Sequence, residues 1–273
     1  MERRIKVIVY LYNRLLDPLI QGNIFLYINE LTQRSERCPY EFTIITYEDD
    51  QYPISESDKQ IILEDFSKRY IHWIPLKWHP GTSPLQKGID LVAGMRAVYY
   101  LRLNGYKHLI SLGSVAGSLA YLFCGLFRIK LFLYQYEPHS EFNVDNGVWK
   151  SSSFSFRSLN FIEKKSAIFA NVISTGTSYM LSRLESWKIK GSTFKIPSVV
   201  NDSIFSFKGE ARKRIRASLG ISEDKKVIIF AGKFGGLYYG IETLQAFKWL
   251  AESISNLFFL LLHLKVPNWS KVG

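Results

Sequence analysis

A glycine-rich turn between a predicted strand and a predicted helix is the first place where this sequence could do chemistry. Val227–Ala231 is an apolar, β-branched run, and Lys233, Gly235 and Gly236 follow it before a periodic apolar segment begins at Gly240. This arrangement directs backbone N–H groups and the positive end of a helix dipole at a phosphate, and Lys233 adds a cation. An ordinary tight turn remains an alternative, because the spacing matches neither the dinucleotide fingerprint nor the Walker A motif.

Acidic and histidine side chains follow another predicted strand, Ile129–Tyr134. Glu137, His139 and Glu141 come directly after it, at the end of a parallel strand where α/β sheets bind their ligands. A Glu/His pair in that place could position or deprotonate a hydroxyl group. The alternative is a polar loop whose histidine only makes structural hydrogen bonds.

Three further charged clusters favour solvated surfaces over ligand sites. Glu48–Asp50 offers carboxylates, but no histidine or fourth ligand accompanies them, so we predict no metal site. Glu163–Lys165 is predicted to lie on the exposed face of a helix. A later helix is rich in cations but has no accompanying RNA- or DNA-binding motif, which predicts a solvated or membrane-facing surface and no nucleic-acid partner. Its cations are Lys208, Arg212, Lys213, Arg214 and Arg216.

The elements that must position these groups alternate between strand and helix along the chain. Apolar runs such as Ile5–Tyr12 and Phe42–Tyr47 alternate with periodic segments such as Ile89–Leu103. The pattern predicts an α/β fold, with a Rossmann-type parallel sheet covered by helices on both faces and a partial second Rossmann-type domain after it. The stretch Pro197–Lys208 joins the two series, which places the domains at residues 1–200 and 201–273.

One uncharged stretch, Leu109–Phe127, is long enough to span a bilayer. Gly113 and Ser114 divide it into a short apolar run and a segment rich in small residues, and another predicted strand follows. We favour a buried strand–helix–strand unit, because strands of a parallel sheet are apolar on both faces.

Composition restricts the possible partners and the compartment. The 273 residues carry a formal net charge of +11, so the electropositive surface favours phosphate-bearing ligands, anionic lipid or nucleic acid. The two cysteines, Cys38 and Cys124, form no metal-binding or disulfide pattern. We therefore expect a cytoplasmic protein, with the inner face of the membrane as an additional candidate location.

A larger set of residues resembles the GT-B glycosyltransferases, in particular the retaining family four that builds surface polysaccharides and glycolipids. The resemblance is specific over about residues 160–262 and diffuse before them. The residues that carry it are Phe161–Lys165, Ala170–Ser174, Phe194–Asn201, Phe205, Arg214, Leu219–Ile221, Val227–Lys233, Gly240, Leu244 and Ala246-Phe247.

This resemblance implies a transferase that moves a sugar from a nucleotide-sugar to a saccharide or lipid-linked acceptor, without a metal or other cofactor. Gly22, Glu137 and His139 fall where members of the family contact the acceptor. Lys233, Gly235 and Gly236 fall where members of the family bind the donor diphosphate.

Two departures from the family pattern concern the donor half. The family commonly has a lysine before the glycine that corresponds to Gly240, and this chain has Tyr239 there. The family's Glu-x7-Glu pair lies later in the donor domain. Glu48 and Glu56 have that spacing only by coincidence, in the other domain. We therefore expect a chain truncated within its donor domain and inactive by itself. The alternative is a non-catalytic module for phosphorylated or anionic ligands or the membrane surface.

Overall fold

The structure, a computed structural model, describes residues 4–33, 39–81, 83–199, 205–232, 234 and 239–262. The chain divides into two compact units, residues 1–201 and 202–273.

The first unit is built on a seven-stranded sheet in which all neighbouring strands are parallel. The strand order is β3-β2-β1-β4-β5-β6-β7, the doubly wound arrangement in which ligands bind where the order reverses. The strands are β1 (Ile5–Tyr10), β2 (Tyr40–Glu48), β3 (Ile71–Lys77), β4 (His108–Leu112), β5 (Lys130–Tyr134), β6 (Val172–Thr175) and β7 (Ser192–Lys195).

Helices connect these strands and cover both faces of the sheet. They are α1 (Pro18–Gln21), α2 (Ile24–Gln33), α3 (Glu56–Lys68), α4 (Pro84–Leu103), α5 (Ser114–Phe127), α6 (His139–Asp145), α7 (Phe154–Phe169) and α8 (Ser178–Ser186). One core cluster joins the sheet to α4, α5, α7 and α8, and the other joins it to α1, α2 and α3. The predicted α/β fold with helices on both faces is therefore confirmed.

Two short helices, α1 and α6, lie in the segments that follow β1 and β5. Helix α1 follows β1, and Asp17 caps it by accepting a hydrogen bond from the amide of Leu19. Helix α6 begins at His139, so the segment after β5 is a loop only as far as Pro138. Short helices of this kind have too few turns to give a clear periodic signal.

The uncharged stretch Leu109–Phe127 forms part of β4 and the whole of α5. Gly113 separates them with φ of +80°, a conformation that glycine adopts without strain. Within the described residues, no helix combines the length and hydrophobicity needed to cross a bilayer.

The second unit contains a two-stranded parallel sheet and two helices in its described part. Helix α9 (Gly209–Ser218) precedes β8 (Lys226–Ala231), and α10 (Gly240–Ser253) connects β8 to β9 (Leu257–Leu262). In its described part, this unit has the parallel strand–helix–strand arrangement that Rossmann-type sheets repeat.

Candidate functional site at the carboxyl edge of the large sheet

A cavity of about 250 Å³ lies beyond the carboxyl ends of β1, β4 and β5. Because these parallel strands end at the same edge, the segments that follow them meet there. The residues lining the cavity are Tyr12 and Asn13 after β1, Leu112 to Ala116 around the start of α5, and Tyr136, Glu137 and His139 after β5.

The start of α5 forms one wall of this cavity. Gly113 at the helix N-cap offers no side-chain cap. A Cβ atom on Gly113 would lie 3.2 Å from the hydroxyl of Tyr136, so both the positive φ and the close tyrosine favour glycine. Ser114 donates a hydrogen bond from Oγ to the carbonyl of Glu137 at 3.1 Å, which ties this wall to the segment after β5.

Glu137 and His139, two of the predicted acceptor residues, form a pair in the cavity. Their Oε1 and Nδ1 atoms are 3.6 Å apart, and both side chains are about one-third exposed. The Glu137 carboxylate raises the pKa of His139, while burial acts in the opposite direction. A partly exposed imidazole beside a carboxylate can hold a proton or exchange it with a hydroxyl group in the cavity.

Glu163 binds Ser140, the residue after His139, and the prediction that Glu163 lies on an exposed helix face was wrong. Its side chain is 1% exposed. It accepts hydrogen bonds from the amide of Ser140 at 3.1 Å and from the Ser140 hydroxyl at 2.5 Å. Asn160 also donates to that hydroxyl. The buried carboxylate thereby gives a hydrogen-bond acceptor to a backbone amide in the first turn of α6, the helix that begins at His139.

Glu141, the third polar residue of this segment, is held by another partner. Both of its carboxylate oxygens accept hydrogen bonds from the guanidinium of Arg183 on α8. The bidentate pair joins α6 to α8. Glu141 therefore has a structural partner, whereas Glu137 and His139 line the cavity.

A polar network around Asp90 holds Tyr12 at the other side of the cavity. Tyr12 donates a hydrogen bond to Asp90 Oδ2 at 2.7 Å, and His79 Nδ1 lies 2.5 Å from Oδ1. Lys87 contacts the same carboxylate at 3.3 Å. Burial opposes ionisation of Asp90, but the hydrogen bonds from His79, Tyr12 and Lys87 outweigh it and keep its pKa below the ordinary value.

Gly22, the remaining predicted acceptor residue, does not line this cavity. It ends α1, where its amide donates a hydrogen bond to the carbonyl of Pro18 at 2.9 Å. Its φ of −80° is accessible to any residue. The structure thus brings Glu137 and His139 together and leaves Gly22 apart from them.

The predicted diphosphate residues Lys233, Gly235 and Gly236 lie outside the described residues. The structure does describe both flanks of their turn, β8 and the start of α10. Tyr239 occupies the N-cap of α10 with φ of 51°, without a side-chain cap. The first amides of a helix have no partner within the helix, so this terminus suits an anion.

The cationic helix α9 is partly structural. Arg216 is 8% exposed and donates hydrogen bonds to the carbonyls of Ser222 and Lys225 at 2.8 and 2.6 Å. The sequence pattern predicted a solvated or membrane-facing surface for this arginine, and the burial of Arg216 contradicts that prediction. Arg212 and Lys213 form ion pairs with Glu223 and Glu210.

The acidic segment Glu48–Asp50 also has partners in the fold. Glu48 accepts hydrogen bonds from the amide of Leu15 and the hydroxyl of Thr46, and Asp50 pairs with Lys77 at 2.9 Å. Among the described residues, no three His, Cys, Asp or Glu side chains come together as metal ligands.

Sequence reasoning missed Tyr12, Asp90, Ser114 and Glu163. Asp90 is the single acidic residue of helix α4. This isolation was the only sign in the sequence that Asp90 has a special role. Tyr12 and His79, however, come from the segments after β1 and after β3, so only the folded chain shows the network. Ser114 was treated only as a break between elements.

The sequence matches no protein-family model and no curated protein. Solved structures with similar folds include Anabaena Alr3699/HepE in complex with UDP and glucose, at 12% identity and a TM-score of 0.60, covering 95% of this chain and 61% of that one. A UGT transferase from Siraitia grosvenorii in complex with UDP has 11% identity and a TM-score of 0.58, with coverages of 97% and 66%. The N-terminal domain of Candida albicans trehalose-6-phosphate phosphatase has 14% identity and a TM-score of 0.58, with coverages of 96% and 64%.

These likenesses establish an α/β, GT-B-like fold for the chain. The chain spans less than two thirds of the length of these proteins. At this level of identity, function has to be argued from the residues of the site.

Proposed function

We propose that the chain belongs to a glycosyltransferase that moves a sugar from a nucleotide-sugar to a hydroxyl of a saccharide or lipid-linked acceptor. The observation that carries the proposal is the Glu137–His139 pair in a cavity at the carboxyl edge of the large sheet. Similar folds belong to proteins solved with UDP or UDP-glucose, and this supports a nucleotide-sugar as the donor.

In the proposed reaction, Glu137 and His139 position the acceptor hydroxyl and take up its proton. Neutral imidazole is the form that can accept a proton, so the raised pKa of His139 sets the pH above which this role becomes available. Glu163 fixes the start of α6, and Ser114 fixes the backbone of Glu137. Both are positioning residues.

The proposed donor contacts lie in the second unit. Lys233 and the amides around Gly235 and Gly236 would stabilise the charge of the leaving diphosphate, together with the first amides of α10. Tyr239 replaces the family's second lysine, so this site has one side-chain cation fewer. The absence of transfer activity in this chain by itself remains a prediction.

The experiment that tests the donor assignment is a titration of the ¹⁵N-labelled chain with UDP, followed by amide resonances. We expect the largest shifts at Gly240, Ile241 and Glu242 in the first turn of α10, and smaller shifts from uridine, which has no phosphate. Equal shifts from UDP and inorganic pyrophosphate would favour a module that binds phosphorylated ligands without a nucleoside. No shifts in this turn would contradict the proposed donor site.

A further inference from the structure

Tyr12, which lines the same cavity as Glu137 and His139, has a hydroxyl group whose direction is fixed by the fold. Its Oη atom donates a hydrogen bond of 2.7 Å to Asp90 Oδ2. Burial and this hydrogen bond to Asp90 raise the pKa of Tyr12, so the phenol keeps its proton at neutral pH. That proton is committed to Asp90.

The surroundings of Asp90 keep its carboxylate in the form that accepts the phenolic proton. The side chain is 1% exposed, and Oδ1 lies 2.5 Å from His79 Nδ1. The Lys87 ammonium lies 3.3 Å from Oδ2 and donates to the carbonyl of His79 at 2.5 Å. A buried carboxylate is tolerated because donors surround it, and in its ionised form it can only accept hydrogen bonds.

These contacts determine what the phenolic oxygen can offer to a ligand. A tyrosine hydroxyl has one proton to donate and lone pairs that accept. Asp90 takes the proton. Lys87 Nζ lies 3.4 Å from Tyr12 Oη, which is longer than the roughly 2.7–3.2 Å of an ordinary N–H···O hydrogen bond. Tyr12 is therefore a hydrogen-bond acceptor for a ligand in the cavity, and the ligand group that bonds to it must be a donor, such as a hydroxyl.

The other polar groups of the cavity favour the same kind of ligand. The Glu137 carboxylate is a second acceptor. The wall at the start of α5 supplies donors, because the first amides of a helix have no partner within it. Sugar hydroxyls both donate and accept, so they match this mixture. A phosphate group offers acceptor oxygens and would face two acceptors, and none of the described residues that line the cavity is a lysine or an arginine.

The size of the cavity also suits a small, partly apolar ring. Its volume of about 250 Å³ is below the roughly 300–1,000 Å³ of sites for drug-sized ligands. Leu112 and Val115 add apolar side chains to the lining, and these can contact the C–H groups of a sugar ring. The cavity therefore has the volume and the mixed lining that a single sugar ring requires.

We propose that Tyr12 determines acceptor specificity by accepting a hydrogen bond from one hydroxyl of a neutral sugar, and that Asp90 is the positioning residue that fixes this direction. The proposal rests on the proposed function, because the sugar is the acceptor of that reaction. An acceptor without this hydroxyl would leave the phenolic oxygen unpaired, and a site built to bond a hydroxyl discriminates against the analogue that lacks it.

The test is an NMR titration of the ¹⁵N-labelled full chain with the methyl glycosides of glucose, galactose and mannose. The amides of Gly113, Ser114 and Glu137 report on the cavity. We expect at least one hexoside to shift them, and Tyr12→Phe to weaken its binding about three- to tenfold, as expected for one lost hydrogen bond. Tyr52→Phe is the matched control, because Tyr52 is half exposed and does not line this cavity.

Monodeoxy derivatives of the bound hexoside identify the contact itself. The derivative without the relevant hydroxyl should bind the wild type about three- to tenfold less tightly than the parent, and both should bind Tyr12→Phe equally. Asp90→Asn should also weaken binding of the parent, because its amide can donate to the phenol and release the phenolic proton. In the Tyr12→Phe background, Asp90→Asn should cause no further loss. Additive losses would show that Asp90 does not act through Tyr12.

Circular dichroism establishes that each variant is folded, and the deoxy series with Tyr12→Phe decides the role of Tyr12 whether or not Asp90→Asn folds. No shift by any of the three hexosides would overturn the proposal, as would larger shifts from inorganic phosphate. Weaker binding in Glu137→Gln with unchanged binding in Tyr12→Phe would remove Tyr12 from the site and retain the proposed acceptor pair. Shifts by UDP in the first turn of α10 test the donor assignment independently.

Discussion

Glu137 and His139 are the side chains on which the proposed acceptor chemistry depends. Their separation of 3.6 Å allows a direct electrostatic interaction, and the interaction raises the pKa of the imidazole. The pair stabilises the folded protein while His139 is protonated. This contribution to stability is fully present below the ordinary pKa of 6.5 and is lost as the pH rises through the raised pKa. Proton uptake from an acceptor requires the opposite, neutral form.

The first prediction concerns this pair. Replacing Glu137 by Gln should bring the pKa of His139 back towards 6.5, because the largest cause of the upward shift is removed. The measurement is an NMR titration of the imidazole C–H resonances. Glu141→Gln is the matched control, since that carboxylate pairs with Arg183, and it should leave the titration of His139 close to that of the wild type. An unchanged titration in Glu137→Gln would show that the two groups do not interact in solution.

Helix α5 is the element that shapes the cavity wall. Its N-terminus meets the segment after β5 through the Ser114–Glu137 hydrogen bond. The approach of Tyr136 to Gly113 and the positive φ of Gly113 fix how the helix leaves β4. A side chain at this position would disturb both the backbone conformation and the tyrosine at the wall.

The second prediction compares two glycines of this segment. Gly113→Ala should destabilise the protein by about 1–2 kcal/mol or more, because alanine at positive φ is strained and its Cβ would press on Tyr136. Gly125→Ala, with open space around the added Cβ, should be neutral or stabilising by about 0.5–1 kcal/mol. Urea unfolding of both variants checks this. Equal stabilities would contradict the account of the wall.

The whole chain combines two units with different proposed tasks. The first unit holds the Glu137–His139 cavity, and the second holds the segment proposed for the diphosphate. The functional proposal requires both units. The acceptor assignment and the donor assignment can therefore be tested separately.

Much of this organisation could be predicted from the sequence, and the exceptions have a common physical reason. Apolar runs predicted the strands, because strands of a parallel sheet are buried on both faces. Helical periodicity predicted the long helices, because one side of each helix packs on the sheet. Glu163, Arg216 and Asp90 could not be placed, because a charged residue is buried only when the folded chain supplies its partners. Ser140 donates hydrogen bonds to Glu163, and backbone carbonyls accept hydrogen bonds from Arg216. Local sequence contains no sign of such partners.

The measurement that tests the central claim most directly is the affinity for UDP of the wild type, Lys233→Ala and Lys226→Ala. Lys233 belongs to the proposed diphosphate turn, which follows β8 in the sequence, whereas Lys226 is the first residue of β8. Each variant loses one positive charge, so a difference between the two variants depends on the position of the lysine. Amide shifts of the first turn of α10 report the binding. The account predicts affinity lower by about tenfold or more in Lys233→Ala, as expected for a lost charge-assisted contact, and nearly unchanged in Lys226→Ala. Equal affinities in all three proteins would contradict it.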